Sequence, residues 1–248
     1  MTLEQFFAEN REVAIAFSGG VDSAYLLYAA TRYAARVKAY YVSTAFQPEF
    51  ELADARRLAD ELGADMLVLH VDVLSNSAVT ANPSDRCYHC KNTLFRQILR
   101  AAENDGFPVL LDGTNASDDA GDRPGMRALR ELSVRSPLRE CGLTKAEIRR
   151  LSKEAGLFTW DKPAYACLAT RIRTGEEITL QKLKQTEKAE GFLFGLGFRD
   201  FRVRMVDNTA KLELREADLP LLLENREKIV TELRKDYDSV LLNLEVRK

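Results

Sequence analysis

Short apolar runs alternate with helix-spaced apolar positions through the first two-thirds of the chain. Val13 to Phe17 predicts a buried strand, and 24–35 predicts a helix rich in good helix formers. Val37 to Ser43 predicts a second strand. Leu52, Ala55, Leu58, Ala59 and Leu62 fall at helical spacing within 50–62, and Gly63 stops that helix. Met66 to Val71 is almost continuously apolar, which suits a third strand covered on both faces. A helix over 92–103 and a short strand over 109–111 follow. Strands alternating with helices predict an α/β fold with a doubly wound parallel sheet, whose ligands sit at the carboxyl ends of the strands.

Beyond the fourth strand the pattern changes twice. Residues 112–125 are rich in Asp, Asn, Ser and Gly and predict a loop, placed at the expected ligand edge. Thr144 with Glu147 then forms a capping box for a helix over 145–155, a structural feature. Past about residue 175 come a charged amphipathic helix (180–194), an alternating strand (201–206), a turn at Asp207-Asn208 and a second strand (211–214). A helix to about Tyr237 and a strand over 240–246 complete a small α+β domain. The expected division is therefore 1–174 and 175–248.

Between the first strand and its helix stands Ser18-Gly-Gly-Val-Asp-Ser23. A glycine loop leading into a helix start favours an anion, because free N–H groups and the helix dipole point at it. Gly19 and Gly20 admit a close approach of the backbone. Ser18 and Ser23 can donate hydroxyl hydrogen bonds. Asp22 would repel a phosphate unless a divalent cation stood between them, which makes it a candidate Mg²⁺ ligand. No Lys precedes the serine as in kinase-type loops. Ser43, at the carboxyl end of the second strand, joins Ser18, Gly19, Gly20, Asp22 and Ser23 as a candidate nucleotide residue. The stretch resembles the pyrophosphate (PP) loop of ATP pyrophosphatases, which split ATP into AMP and pyrophosphate.

At 248 residues the chain can bury a substantial core. A net charge of −2 gives no general attraction to nucleic acid or anionic membrane, so neither is an expected partner. No apolar run is long enough to span a bilayer. The first ten residues carry acids and lack a signal-peptide layout, which points to a cytoplasmic protein. Four cysteines are too few for a disulfide scaffold. Cys87-Tyr-His-Cys90, expected in a loop before a helix, reads as a redox dithiol, as half a zinc site, or as a chance pair. A zinc deaminase would need an upstream His-x-Glu, which is missing. Cys167 lies among small residues in an expected loop, where a thiol is accessible.

The PP-loop stretch, Asp112-Gly-Thr-Asn-Ala-Ser-Asp118, Arg123-Pro-Gly125, Ser136-Pro-Leu138 and Lys162-Pro-Ala-Tyr-Ala-Cys-Leu-Ala-Thr-Arg-Ile172 together resemble the LarE family. These are ATP-dependent sulfur transferases of nickel-pincer nucleotide biosynthesis. The resemblance implies adenylation of a carboxylate of pyridinium-3,5-biscarboxylic acid mononucleotide by ATP with Mg²⁺, sulfur delivery, and departure of AMP. Adenylation is needed because a carboxylate is a poor electrophile.

In one branch of the family the cysteine matching Cys167 surrenders its own sulfur. In the other, three cysteines hold a [4Fe-4S] cluster. Cys87, Cys90 and Cys167 place the chain in the cluster branch, with one iron left open for an extra sulfide. Cys167 and Asp22 are then the catalytic residues, and Cys141 an inert thiol. Alternate residues share a strand face, so Arg202 and Arg204 lie together, a pattern that solvated charge also explains. The resemblance implies that they and Glu190 line a pocket for the substrate's phosphate, with Arg171 and Arg173 as rivals. It also implies homo-hexamers and partnership with other nickel-pincer biosynthesis proteins. A single-cysteine sulfur donor and a tRNA-thiolating PP-loop enzyme are the alternatives.

Overall fold

A computed structural model describes residues 1–118 and 124–247; Arg123, and residues 119–123 of the expected loop, lie outside them. In chain order the first part holds α1 (Leu3–Glu9), β1 (Glu12–Phe17), α2 (Val21–Tyr33), β2 (Arg36–Ser43), α3 (Glu49–Glu61) and β3 (Asp65–His70). Next come α4 (Ser77–Thr80), α5 (Arg86–Asn104), β4 (Val109–Leu111), α6 (Pro124–Glu131), α7 (Pro137–Glu140) and α8 (Lys145–Glu154). The last part holds α9 (Leu180–Gly195), β5 (Arg202–Val206), β6 (Thr209–Glu213), α10 (Leu219–Glu224), α11 (Arg226–Leu233) and β7 (Ser239–Leu242). The chain divides into two compact units, 1–73 with 85–162, and 74–84 with 163–248. The sequence-read border at 174/175 falls inside the second unit.

In the first unit the described strands form a parallel sheet in the order β3-β2-β1-β4. The register sets Val13 opposite Val37 and Val109, and Phe17 opposite Tyr41. Alternation along β1 sends Val13, Ile15 and Phe17 into one core with Phe6, Leu26, Leu27 and Leu58. Ala14 faces the other way, with Tyr40, Ile98, Ala102 and Phe107. Helices therefore cover both faces, and each fully buried side chain of this size contributes roughly 1.5–3 kcal/mol. The central position of β1 puts its carboxyl end, and so Ser18, in the middle of the ligand edge.

One expectation is met here and one needs correction. β3 stands at the edge of this sheet beside β2, and its two faces are both covered: Met66 and Val68 pack on one core, Leu67 and Leu69 on the other. Cys87 and Cys90 are not in a loop: the helix begins at Arg86, so both lie in its first turns.

The second unit holds a mixed sheet, β5-β6-β7, in which β5 and β6 form an antiparallel hairpin and β6 and β7 run parallel. Asp207 takes the left-handed conformation (φ 52°) that the turn requires. Leu193, Phe198, Phe201, Val203, Met205, Leu212, Ile229 and Leu233 form its core. The expected single helix before Tyr237 is two, α10 and α11, which meet at Asn225. The segment 74–84 belongs to this unit. Gly175 N donates to Asn82 O and Asn82 Nδ2 to Arg173 O, both at 2.8 Å. Among the described residues no helix is long and apolar enough to cross a membrane.

Candidate active site

The loop after β1 is shaped for close backbone approach. Gly19 has φ +71°, and a Cβ there would lie 3.2 Å from Ala55 Cβ and 3.4 Å from Glu51 O. Gly20 occupies the N-cap position of α2, with no side-chain cap bond. The first N–H groups of the helix are thus not claimed by a capping side chain, which suits an anion. Ser18 Oγ and Ser23 Oγ are 3.0 Å apart, and Ser23 Oγ donates to Gly20 O at 3.2 Å. These bonds hold both hydroxyls beside the helix start.

Asp22 lies in the first turn of α2. Its Oδ2 accepts from Lys145 Nζ at 2.5 Å, while Oδ1 is buried with no hydrogen-bond partner. Desolvation raises its pKa above the ordinary value, and Lys145 opposes that shift. A buried bare carboxylate oxygen beside a helix start is a donor that would suit Mg²⁺. Gly113 packs against this element: a Cβ there would come 2.9 Å from Ser23 N. The neighbouring Asp112 is buried, accepting from Ser136 Oγ at 2.6 Å and from Thr114 Oγ1 at 2.5 Å. Asn115 N donates to Asp118 Oδ2, and Lys145 N to Ser117 Oγ, so 112–118 is a hydrogen-bonded turn system. A cavity of about 140 Å³ opens beside the loop, lined by Phe17, Ser18, Tyr41, Val42, Gln47 and Phe95 among others. Ser43 is not among its lining residues; its carbonyl accepts from Val71 N.

The thiols are distributed over both units. Cys87 and Cys90 are three residues apart on α5 and so share a helix face. Cys87 is exposed and Cys90 partly buried, and Arg86 Nη2 lies 3.6 Å from Cys87 Sγ. Among the described residues no three of His, Cys, Asp and Glu are gathered as a metal site. Burial pushes the Cys141 thiol up, against ready ionisation. Cys167, in the second unit, opens the one-turn 3₁₀ helix Leu168–Arg171, and its carbonyl accepts from Thr170 N and Oγ1.

Glu190 is buried in the second unit, where Arg171 Nε reaches its Oε1 at 2.7 Å and Nη2 its Oε2 at 3.0 Å. Tyr165 OH and Val203 N also donate to it. Arg202 is buried and donates to Phe201 O and Ala164 O. Arg204 donates to Glu213 and to Thr170 O. All these partners belong to the protein itself.

Residues 4–118 match the asparagine synthase family model. An uncharacterized protein of Synechocystis is 40% identical, covering 86% of this chain and 80% of that protein. The pyridinium-3,5-bisthiocarboxylic acid mononucleotide synthase of Lactiplantibacillus plantarum is 34% identical over 87% of this chain and 79% of its own length. The chain belongs to the LarE family. A more distant relative is the tRNA-specific 2-thiouridylase MnmA of Thermotoga petrophila, 26% identical over 59% of this chain and 52% of that protein. The parallel-sheet unit of this LarE-type chain is thus a PP-loop ATP pyrophosphatase domain, and the protein is an ATP-dependent sulfurtransferase.

Several site residues of the LarE-type chain were not legible as such in the sequence. Lys145 follows the Thr144 cap, which reads as purely structural, yet its ammonium reaches Asp22. The missing loop lysine was the available signal, since a cation must then come from elsewhere. Ser136 and Gly113 carried no signal beyond membership in quoted segments. Lys162 Nζ pairs with Glu51 at 3.0 Å and Asp54 at 2.7 Å, under the loop's glycine.

Proposed function

We propose that this LarE-type enzyme adenylates the carboxylates of pyridinium-3,5-biscarboxylic acid mononucleotide and inserts sulfur, giving the bisthiocarboxylic acid mononucleotide. The observation that carries the reading is the uncapped start of α2 with the buried bare Oδ1 of Asp22 beside it. In this reading the α2 N–H groups with Ser18 and Ser23 bind the departing pyrophosphate. The cavity beside Ser18 takes the nucleoside. Asp22 would hold Mg²⁺, which neutralises charge on the leaving group. Lys145 exchanges Asp22 for a phosphate oxygen and supplies the positive charge that the loop lacks. Sulfide attacks the activated carboxylate carbon, and AMP leaves.

Cys87, Cys90 and Cys167 would together hold a [4Fe-4S] cluster, whose open iron would supply a transferable sulfide. The same family reading makes the protein a cytoplasmic homo-oligomer, a hexamer, that works with other nickel-pincer biosynthesis proteins. Anaerobic reconstitution should give about four irons and four sulfides per chain and absorbance near ~400 nm, lost in Cys90→Ala. Colourless protein that loses hydrogen sulfide from Cys167 in one turnover would move it to the sacrificial branch. The MnmA likeness raises tRNA thiolation as a second reading. The net charge of −2 opposes it, and tRNA retention on a filter at moderate salt would support it.

A further inference from the structure

Gln47 lines the cavity beside Ser18, and its amide is held in one orientation. It closes the turn between β2 and α3, where Gln47 N donates to Thr44 O at 3.3 Å. Its Oε1 accepts from Thr44 N at 3.1 Å and from Thr44 Oγ1 at 2.7 Å. A backbone N–H can only donate, so the atom facing Thr44 is the oxygen and the amide cannot be flipped. Thr44 Oγ1 in turn accepts from Phe46 N at 3.0 Å, which leaves its own proton for Oε1. Phe46 and Pro48, on either side of Gln47 in the chain, are both buried, so the backbone of the turn is fixed as well.

Both lone pairs of Oε1 are engaged, and among the described residues the two Nε2 protons meet no acceptor. Holding a half-buried glutamine in one rotamer costs side-chain entropy, and the backbone bond alone would close the turn. The remaining walls of the cavity are largely apolar, with Ala16, Phe17, Val42, Leu94, Phe95 and Ile98 among them. Such walls suit a flat heteroaromatic base, whose ring nitrogens then need a donor to replace water. We propose that Gln47 is a specificity-determining residue that reads the base of the nucleotide: Nε2 donates to an unprotonated ring nitrogen of adenine, one of N1, N3 and N7. The inference rests on the reading that this cavity takes the nucleoside. The bonds to Thr44 set the donor in place before the ligand arrives, so little ordering is left to oppose binding.

The test is a chemical double-mutant cycle on the full-length chain. Gln47→Glu keeps an oxygen for Thr44 and replaces the donor with an acceptor; Gln47→Met keeps the length and removes both. Dissociation constants would be measured calorimetrically at pH 8 with Mg²⁺ for ATP, for its 1-deaza, 3-deaza and 7-deaza analogues, and for inorganic triphosphate. On the wild type, one analogue should bind roughly two- to tenfold more weakly than ATP, the loss expected for one neutral hydrogen bond. On Gln47→Met, ATP should weaken by a similar factor and that analogue should match it. On Gln47→Glu the same analogue should overtake ATP, because the carboxylate repels the ring nitrogen that the analogue lacks. One ranking of the four nucleotides shared by all three proteins would overturn the proposal. So would variants that weaken all four by a single factor, since they would act through the turn alone. In either case a wild type that prefers ATP to triphosphate keeps the nucleoside in the cavity without Gln47. Triphosphate bound as tightly as ATP would overturn both the proposal and the nucleoside reading.

Discussion

Gly113 offers a sharp test of how the nucleotide loop is supported, because the space it leaves can be measured. A methyl group at that position would lie 2.9 Å from Ser23 N, 3.1 Å from Ser23 Cα and 3.3 Å from the Asp22 carbonyl carbon. All three are backbone atoms, so no side chain can swing aside. Ordinary contact begins at 3.4 Å, and Gly113→Ala must therefore push the start of α2 away by about half an ångström. The N–H that moves is one of those assigned to the pyrophosphate. With about 100-fold in rate at stake per ångström of misplacement, half that displacement costs ~10-fold in kcat/KM for MgATP. Overpacking a close contact also costs about 2 kcal/mol, which in a chain of this size lowers Tm by roughly 4–8 °C.

The assay is ATP–pyrophosphate exchange together with thermal unfolding. Gly191 in α9 is the control, since nothing lies within 4 Å of the added methyl. Gly191→Ala should stabilise by ~0.5–1 kcal/mol through chain entropy and leave exchange unchanged. If Gly113→Ala exchanges pyrophosphate at the wild-type KM for ATP and melts at the wild-type temperature, the 112–118 segment does not buttress the loop, and the site geometry derived above is wrong.

Asp22→Asn should abolish pyrophosphate exchange yet raise Tm at neutral pH, since burial penalises the charged carboxylate. Because the folded pKa is raised, wild-type stability falls as pH rises from 3.8 through the folded value; the gain from the substitution should grow over that window and vanish below it. Lys145→Met removes the group that holds the Asp22 pKa down, so the acid limb of kcat/KM for MgATP should move to higher pH. An unmoved limb would exclude the coupling. Lys162→Met strands Glu51 and Asp54 together, with the three side chains 13%, 11% and 33% exposed. It should cost about 3 kcal/mol at pH 8 and less at pH 5. The relief at low pH follows because Glu51, already raised by desolvation, loses its counter-charge and protonates as pH falls. Equal destabilisation at both pH values would refute the ion-pair account.

What the sequence disclosed and what it withheld divide along a physical line. Phosphate is bound by consecutive backbone N–H groups and hydroxyls, so Ser18 to Ser23 carried its own chemistry in six adjacent letters. The helix behind it followed from local propensity, and the sheet from apolar alternation. Cys87 and Cys90 were placed too early for their helix because Cys, Tyr and His are weak helix formers, and the start lies at Arg86. Lys145 meets Asp22 across 123 residues, and Arg171 meets Glu190 across 19, through the fold alone.

The same line explains why a charged residue is hard to assign from sequence. Arg202 and Arg204 alternate on a strand, as either solvated charge or a phosphate clamp would require, and sequence offers nothing to separate the two. Three-dimensional placement adds a third use, satisfying the carbonyls of an irregular segment. Pro163 to Cys167 has no helix or strand of its own to absorb its backbone acceptors. Although Ala164 and Ala166 are exposed, their carbonyls accept from Arg202 and Arg171, whose planar fork offers several donors.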